Sequence, residues 1–238
     1  MTYLFISDLH LSADHPRLVR GFLDLLAHYQ NKNTQLYILG DWFNAWIGDD
    51  DHSAWLDEIV TALKKFTQAN NQVYFLAGNR DFALGQNFMQ QFSGIHLPDE
   101  LVIEIAGYKI RLEHGDALCT DDVSYQRFKK IIRHPVILGL LKCTPLFFRK
   151  KLAQGFRKKS QSSQQFKSYD IMDVNDDAVN QALLDVDMII HGHTHRAQIH
   201  TIGHKKRIVL GDWKLDHAEI LEICETKINK IQLKIWNY

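Results

Sequence analysis

Leu4-Phe-Ile-Ser-Asp8-Leu-His10 is the stretch on which the reading of this chain turns. Three apolar residues run straight into a polar pair two positions apart. Side chains two apart on an extended chain point the same way, so Asp8 and His10 are expected to share one side of a strand end. The same pattern returns five times: Leu36-Tyr-Ile-Leu-Gly40-Asp41, Val73-Tyr-Phe-Leu-Ala-Gly78-Asn79, Ile110-Arg-Leu-Glu-His114-Gly-Asp116, Met188-Ile-Ile-His191-Gly-His193-Thr-His195 and Ile208-Val-Leu-Gly211-Asp212. Continuous apolar runs of this length predict strands buried on both faces.

Amphipathic stretches lie between several of these runs: Arg17 to Tyr29, Ser53 to Ala69 and Asp176 to Leu184. Helices between buried strands predict an α/β layered domain. Ala218 to Cys224 and Lys227 to Trp236 alternate as a solvated antiparallel hairpin would. In such sheets ligands bind where strands end and loops begin. Six strand ends that each deliver an Asp, His or Asn toward one edge therefore outline a site.

Composition sets outer limits. The 238 residues are 45% apolar and 24% charged, with only 4 Pro and 13 Gly, which excludes disordered and collagen-like chains. The length suits one large domain, or one domain with an insertion. Three widely spaced Cys (Cys119, Cys143, Cys224) predict free thiols in a reducing compartment. The first residues lack a signal-peptide pattern, and no apolar run approaches the length of a spanning helix. The expectation is a cytoplasmic protein, at most attached to a membrane surface.

The formal net charge is zero, with 28 basic and 28 acidic residues. Residues 123–169 nevertheless hold 12 Lys or Arg and no Asp or Glu, leaving 16 basic against 28 acidic elsewhere. So local a charge excess needs its own explanation.

Taken singly, an Asp after a strand is an ordinary turn or helix cap. Jointly, Asp8, His10, Asp41, Asn79, His114, His193 and His195 form two sets of oxygen and nitrogen ligands without sulfur. Carboxylate with imidazole suits Mn²⁺, Fe²⁺ or Zn²⁺, and the missing Cys argues against structural zinc. Two sets sharing a carboxylate would hold metals about 3.5–4 Å apart, the arrangement that clamps attacking and leaving oxygens at phosphorus.

On Asp8-Leu-His10, Gly40-Asp41, Gly78-Asn79, His114 and Gly192-His193-Thr-His195, the chain resembles the calcineurin-like metallophosphoesterase family. The resemblance covers essentially everything outside the basic block. It implies two mixed sheets packed face to face and flanked by helices, in four layers, with the site at the strand ends. It further implies one metal on Asp8, His10, Asp41 and His195, and a second on Asp41, Asn79, His114 and His193, with Asp41 bridging.

One departure from the family narrows the chemistry. Many members carry Gly-Asn-His, whose His protonates the leaving oxygen; here the segment is Gly78-Asn-Arg80-Asp81. Arg is no general acid at neutral pH, but its planar fork holds phosphate oxygens. A leaving phosphate needs no acid whereas an alkoxide does, so Arg80 favours P–O–P over P–O–C cleavage. The simpler alternative is that Arg80 only pairs with Asp81 or Asp49.

In the basic block, Phe128, Ile131, Val136, Leu140, Phe147 and other apolar residues interleave with the cations, and Pro135 and Pro145 divide it into short helices. The mixture suits an interfacial element with an apolar face toward acyl chains and cations toward anionic head groups. A helical hairpin packed on the core, or a clamp on nucleic-acid phosphates, are the alternatives.

Within the family, the site, Asn79-Arg80 and the insertion are most similar to the branch that acts on UDP-2,3-diacylglucosamine in lipid A biosynthesis, from Met1 to about Trp213. That resemblance implies hydrolysis at the α-phosphorus by metal-activated water, giving UMP and 2,3-diacylglucosamine 1-phosphate, with two Mn²⁺ and loose attachment to the inner face of the cytoplasmic membrane. It assigns catalysis to Asp41, Arg80 and His114, and substrate contacts to Asn79, Arg80, Asp122, Ser160, Gln164, Lys167 and His193. Gln164 stands where that branch often has Asn. The expected organisation is a core of residues 1–122 and 170–238 with an insertion at 123–169. Neither nucleic acid nor an obligate protein partner is expected. A nuclease or other phosphodiesterase with a basic cap, and a non-catalytic scaffold, are the rival readings. Asp116 and Asp212 are further expected to orient imidazole ligands.

Overall fold

The computed structural model describes residues 1–153, 155, 173–225 and 231–238. Its eleven named strands form two mixed sheets. The first runs β11 (Leu233–Asn237), β10 (His217–Cys224), β1 (Thr2–Ile6), β2 (Thr34–Leu39), β3 (Gln72–Leu76) and β4 (Ile95–His96). The second runs β5 (Glu100–Ile105), β6 (Tyr108–Glu113), β7 (Met188–His191), β9 (Lys205–Val209) and β8 (Gln198–Ile202).

Period-two alternation sorts each strand between layers. Phe5, Tyr37, Leu39 and Leu76 point from the first sheet into a core shared with Ile110, Leu112, Ile190 and Ile208 of the second. Leu4, Ile6, Leu36, Ile38 and Phe75 point the other way, against α1 (Pro16–Tyr29), α2 (Ala54–Gln68) and α3 (Gln86–Gln90). The helix Asp176–Ala182 covers the outer face of the second sheet through Val179, which clusters with Leu183 and Ile189. The order is helices, sheet, sheet, helix. Strands buried on both faces must be apolar throughout, and that requirement produced the continuous runs in the sequence.

Pro16 opens α1 at a position where its missing N–H leaves nothing unpaired. Leu18, Phe22, Leu25 and Tyr29 recur at helical spacing on the buried face. Leu56, Ile59, Leu63 and Phe66 do the same in α2.

β1, β2 and β3 are parallel, with Ile6 level with Ile38 and Leu39 level with Leu76. β6, β7 and β9 are likewise parallel, with Leu112 beside Ile190 and His191 beside Val209. The six strands whose ends carry the polar residues thus end in two level rows.

The expected C-terminal hairpin is present, but its first strand is not solvated. β10 lies between β11 and β1, with Ala218, Ile220, Leu221 and Ile223 all buried. Ala218 and Ile220 face the helices while Leu221 and Ile223 face the second sheet, so only β11 carries a solvated side. Residues 226–230 of the expected alternating run lie outside the described residues.

In the basic segment, α4 (Val123–Ile132) and α5 (Pro135–Lys142) are followed by helical residues at 146–153. Asp122 caps α4, accepting from the Tyr125 N–H at 3.1 Å. Pro135 begins α5, as its fixed φ favours. Cys119, Cys143 and Cys224 are not joined in disulfides. No helix among the described residues is long and apolar enough to cross a membrane.

Candidate metal centre

Five of the six parallel strand ends, those of β1, β2, β3, β6 and β7, bring all seven predicted ligand residues to one place. Asp8 and Asp41 are buried, at 0% and 2% exposure, as is His114 at 2%. His195 Nε2 lies 3.2 Å from Asp8 Oδ1, and His10 places Nε2 4.0 Å from Asp8 Oδ1 and Nδ1 3.9 Å from Asp41 Oδ2. On the other flank His114 Nε2 is 3.7 Å from Asp41 Oδ1. Asn79 Oδ1 sits 3.0 Å from both His114 Nε2 and His193 Nδ1. Asp41 therefore stands between the two sets.

This convergence is not the one extended strands would produce. β1 ends at Ile6 and β7 at His191. Asp8, His10, Asp41, His193 and His195 all take left-handed backbone, with φ of 54°, 50°, 51°, 69° and 57°. The two-residue spacing works because each loop turns back on itself. Left-handed backbone at non-glycine residues costs on the order of 1–3 kcal/mol each and collects at functional sites.

Glycine lets these loops interlock. A Cβ on Gly40, at φ +85°, would lie 2.5 Å from His114 Nδ1 and 2.6 Å from Gly78 Cα. One on Gly78 would collide with Asp41 Oδ1, and one on Gly192 with Asp8 Oδ2. Asp81 joins two of the loops, accepting from Gly78 N at 2.8 Å and Trp42 N at 2.7 Å. Burial and the nearby Asp41 raise its carboxyl to about 7.

The electrostatics divide the imidazoles. Burial opposes the Asp8 charge, but His195, His114 and His10 around it hold its carboxyl well below the usual range. Burial also disfavours the charge on His195, yet Asp212 and Asp8 lift it to about 10. Burial, with His114 alongside, pushes His193 down to about 4.

A divalent cation fits this donor set. Both His10 ring nitrogens are buried and have no hydrogen-bond partner among the described residues, and Asp8 Oδ1 is buried beside His195 Nε2 at 3.2 Å. Buried polar atoms are nearly always satisfied, so two orphaned nitrogens next to the Asp8 and Asp41 carboxylates mark a place for a cation. The triads Asp8–His10–His195 and Asp8–Asp41–His114 each offer ligand atoms within 4.8 Å of one another.

Arg80 pairs with neither Asp81 nor Asp49. Its Nε lies 3.4 Å from Asp41 Oδ2 and its Nη1 donates to Asn44 Oδ1 at 3.3 Å. Asp49 is instead taken up by Trp46 Nε1 and the Gly85 and Phe88 N–H groups. Asp212 meets His195 Nδ1 at 3.5 Å, as an orienting carboxylate would. Asp116 does something else: its carboxylate accepts from Tyr125 Oη and from Lys129 Nζ at 2.9 Å, tying α4 to the core.

That tie also corrects the reading of the basic block. Lys129 and Arg133 face inward, Arg133 donating to Gly78 O at 2.6 Å and Asp99 Oδ2 at 2.9 Å. Arg149 is buried at 3% exposure, bound to Asp50 and to Ile47 O at 2.7 Å. These three cations anchor the segment instead of facing lipid. The Tyr125 ring stacks 6.3 Å from that of His193, so α4 borders the Asn79–His193 flank. Sequence reasoning missed Tyr125, Lys129 and Arg133 as a group, although their spacing of four puts them on one helix face. Asp122 stands at the head of that helix, while Ser160, Gln164 and Lys167 lie outside the described residues.

Two parallel strand rows, an interlocked loop cluster and a cation-ready donor set define a metal-dependent phosphoesterase. The calcineurin-like phosphoesterase family model matches residues 1–197, and the chain belongs to that family. The chain is 46% identical over 238 residues to a UDP-2,3-diacylglucosamine hydrolase of Serratia proteamaculans, covering 98% of this chain and 99% of that one. To a protein of the same name from Yersinia pseudotuberculosis it is 44% identical, covering 92% and 94%. An archaeal phosphodiesterase of solved structure shares the fold, with a TM-score of 0.50 at 15% identity over 99% of both chains.

Proposed function

We propose that this chain hydrolyses the pyrophosphate bond of UDP-2,3-diacylglucosamine, giving UMP and 2,3-diacylglucosamine 1-phosphate in lipid A biosynthesis. The observation that carries the reading is Arg80 beside Asp41 at 3.4 Å, in place of the acid that esters require. The near end-to-end likeness to proteins named for that hydrolysis supports it.

Two Mn²⁺ are proposed, one on Asp8, His10, Asp41 and His195, the other on Asp41, Asn79, His114 and His193. When bound, such ions lower the pKa of a water and neutralise charge on phosphoryl oxygens. Asp41, His114 and Arg80 are the proposed catalytic residues. Arg80 directs its guanidinium to the oxygens of the phosphorus under attack, where charge grows in the transition state. Asp41 holds that guanidinium in place. Asn79, fixed by His114 and His193, and His193 itself position the same phosphoryl group. The departing phosphate is weakly basic, so no proton donor is needed at position 80. Asp122, Ser160, Gln164 and Lys167 are the remaining proposed substrate contacts.

Residues 123–169 are proposed to shelter the acyl chains and to rest on the anionic inner face of the cytoplasmic membrane. Ile131, Val136, Leu140 and Phe147 are exposed at 59%, 62%, 65% and 73%, apolar surface that acyl chains would cover. Flotation with anionic but not neutral vesicles is the expected result, weakened by salt.

The test of the reaction uses UDP-2,3-diacylglucosamine, Mn²⁺ and ¹⁸O water, with products resolved by mass spectrometry. Label in UMP is expected. Label in the lipid phosphate would reverse the point of attack, and cleavage of nucleic acid without turnover of this substrate would overturn the reading.

A further inference from the structure

The metal centre has two flanks, and among the described residues α4 borders the Asn79–His193 one. α4 lies against His193 through Tyr125 and reaches Gly78 through Arg133. Beyond His10 and Arg80, on the opposite flank, a cavity of about 380 Å³ opens. That volume falls within the roughly 300–1,000 Å³ of small-molecule pockets.

We infer that this cavity, lined by His15, Leu18, Asn44, Arg80, Trp213 and Lys214, receives the nucleoside monophosphate half of the substrate. The inference rests on the proposed reaction, because a pyrophosphate spanning the centre sends its two halves in opposite directions. The acyl half goes under the apolar insertion, so the nucleotide half goes to the other flank.

The lining matches that occupant. Leu18 and Trp213 supply apolar wall against which a base can pack, and Asn44 offers both an amide donor and an acceptor. The Trp213 indole N–H is buried and makes no hydrogen bond among the described residues. Arg80 and Lys214 give the cavity a positive rim suited to a phosphate, though Lys214 also pairs with Asp212 at 2.7 Å. The backbone holds Trp213 in register with the centre, since its N–H donates to Asp8 O at 3.2 Å. Gly211-Asp-Trp213, a motif the metal site leaves unused beyond Asp212, thereby gains a role.

The test uses the Mn²⁺-loaded protein and two variants, Leu215→Trp and Lys214→Gln. Leu215 also lines the cavity and is 56% exposed, so the larger ring narrows the mouth without disturbing a packed core. UMP binding is measured by calorimetry, alongside bound metal and inhibition by UMP and by 2,3-diacylglucosamine 1-phosphate. Both variants are expected to weaken UMP binding about tenfold, the scale of one lost contact, with lipid-product inhibition unchanged and, for Leu215→Trp, metal content unchanged as well. UMP affinity within about twofold of wild type, a shift confined to the lipid product, or no UMP binding by the wild type would each overturn the assignment. Failure of the wild type to hydrolyse UDP-2,3-diacylglucosamine while still binding UMP at this cavity would overturn the proposed reaction instead.

Discussion

His195 turns one ring nitrogen to Asp8 at 3.2 Å and the other to Asp212 at 3.5 Å. A single imidazole therefore links a carboxylate at the end of β1 to one at the end of β9, across the two sheets. In the proposed metal centre Asp212 would orient the ring and raise the basicity of the nitrogen facing Asp8. Asp212→Asn keeps the size and loses the charge, so Mn²⁺ affinity should fall about 10- to 100-fold with the unfolding midpoint little changed. Competition with a fluorescent chelator measures it, and unchanged affinity would remove Asp212 from this role.

Asp41 stands between the two ligand sets and beside Arg80. Asp41→Asn should lower kcat on the order of 10³-fold or more, since the proposed metals and the guanidinium lose their shared anion. Metal analysis after gel filtration should find fewer ions per chain than in the wild type. Full occupancy with full activity would contradict a bridging Asp41.

Arg80→Lys separates charge from shape. A lysine keeps the cation but cannot present a planar fork. The variant should lose about 10- to 100-fold in kcat with a smaller change in KM, the pattern of a contact made chiefly in the transition state. Steady-state kinetics on the pyrophosphate substrate decide it, and an equal rate for Lys would reduce Arg80 to a point charge.

Gly192→Ala introduces a methyl group where Asp8 Oδ2 and Ser7 Oγ already sit. The strand-end loop must shift, with a stability loss of about 1–3 kcal/mol. Thermal unfolding should show a lower midpoint, and Mn²⁺ binding should weaken in parallel. Wild-type values for both would mean that the loop gives way freely.

Glu222 offers a pH test away from the centre. Its carboxylate accepts from Tyr29 Oη at 2.5 Å and Lys234 Nζ at 2.7 Å, joining α1, β10 and β11. Burial disfavours its charge, but Lys234 and Tyr29 outweigh that and hold the group below its ordinary 4.5. A lowered acid contributes stability above its unfolded value and loses it as pH falls through the folded one. Glu222→Gln should therefore be less stable than wild type at neutral pH, by roughly 0.5–1 kcal/mol for a partly exposed pair. The gap should close on acidification below 4.5. Denaturant titrations at several pH values measure it, and a gap independent of pH would show that the charge contributes nothing.

The layered core was legible because burial on both faces keeps the middles of β1, β2, β3 and β7 apolar. Their ends were legible because Asp8, Asp41, Asn79 and His193 interrupt those runs abruptly. β5 escaped notice: Glu100, Val102 and Glu104 are solvated, so its alternation lacks the weight of a continuous run. β4 has only two residues and no pattern to carry it. The inward turn of Lys129, Arg133 and Arg149 was hidden for another reason. Cations are chemically alike on a sequence, and only the buried acceptors Asp116, Gly78 O and Ile47 O tell an anchor from a solvated charge. The left-handed turns at Asp8 and His195 leave only a faint mark, since Asp and His are enriched at positive φ but most of them take ordinary backbone.

Those turns set this chain against its own thermostability. At Asp8, His10, Asp41, His193 and His195 the backbone is held where glycine or asparagine would rest more easily. A search for heat-resistant variants would be drawn to these positions first, because each replacement relieves local strain. Every such gain would remove a donor from the metal centre. Improvement by selection for folding alone therefore leads toward an inert protein, and any breeding of a hardier catalyst has to hold these five positions fixed and seek its stability elsewhere.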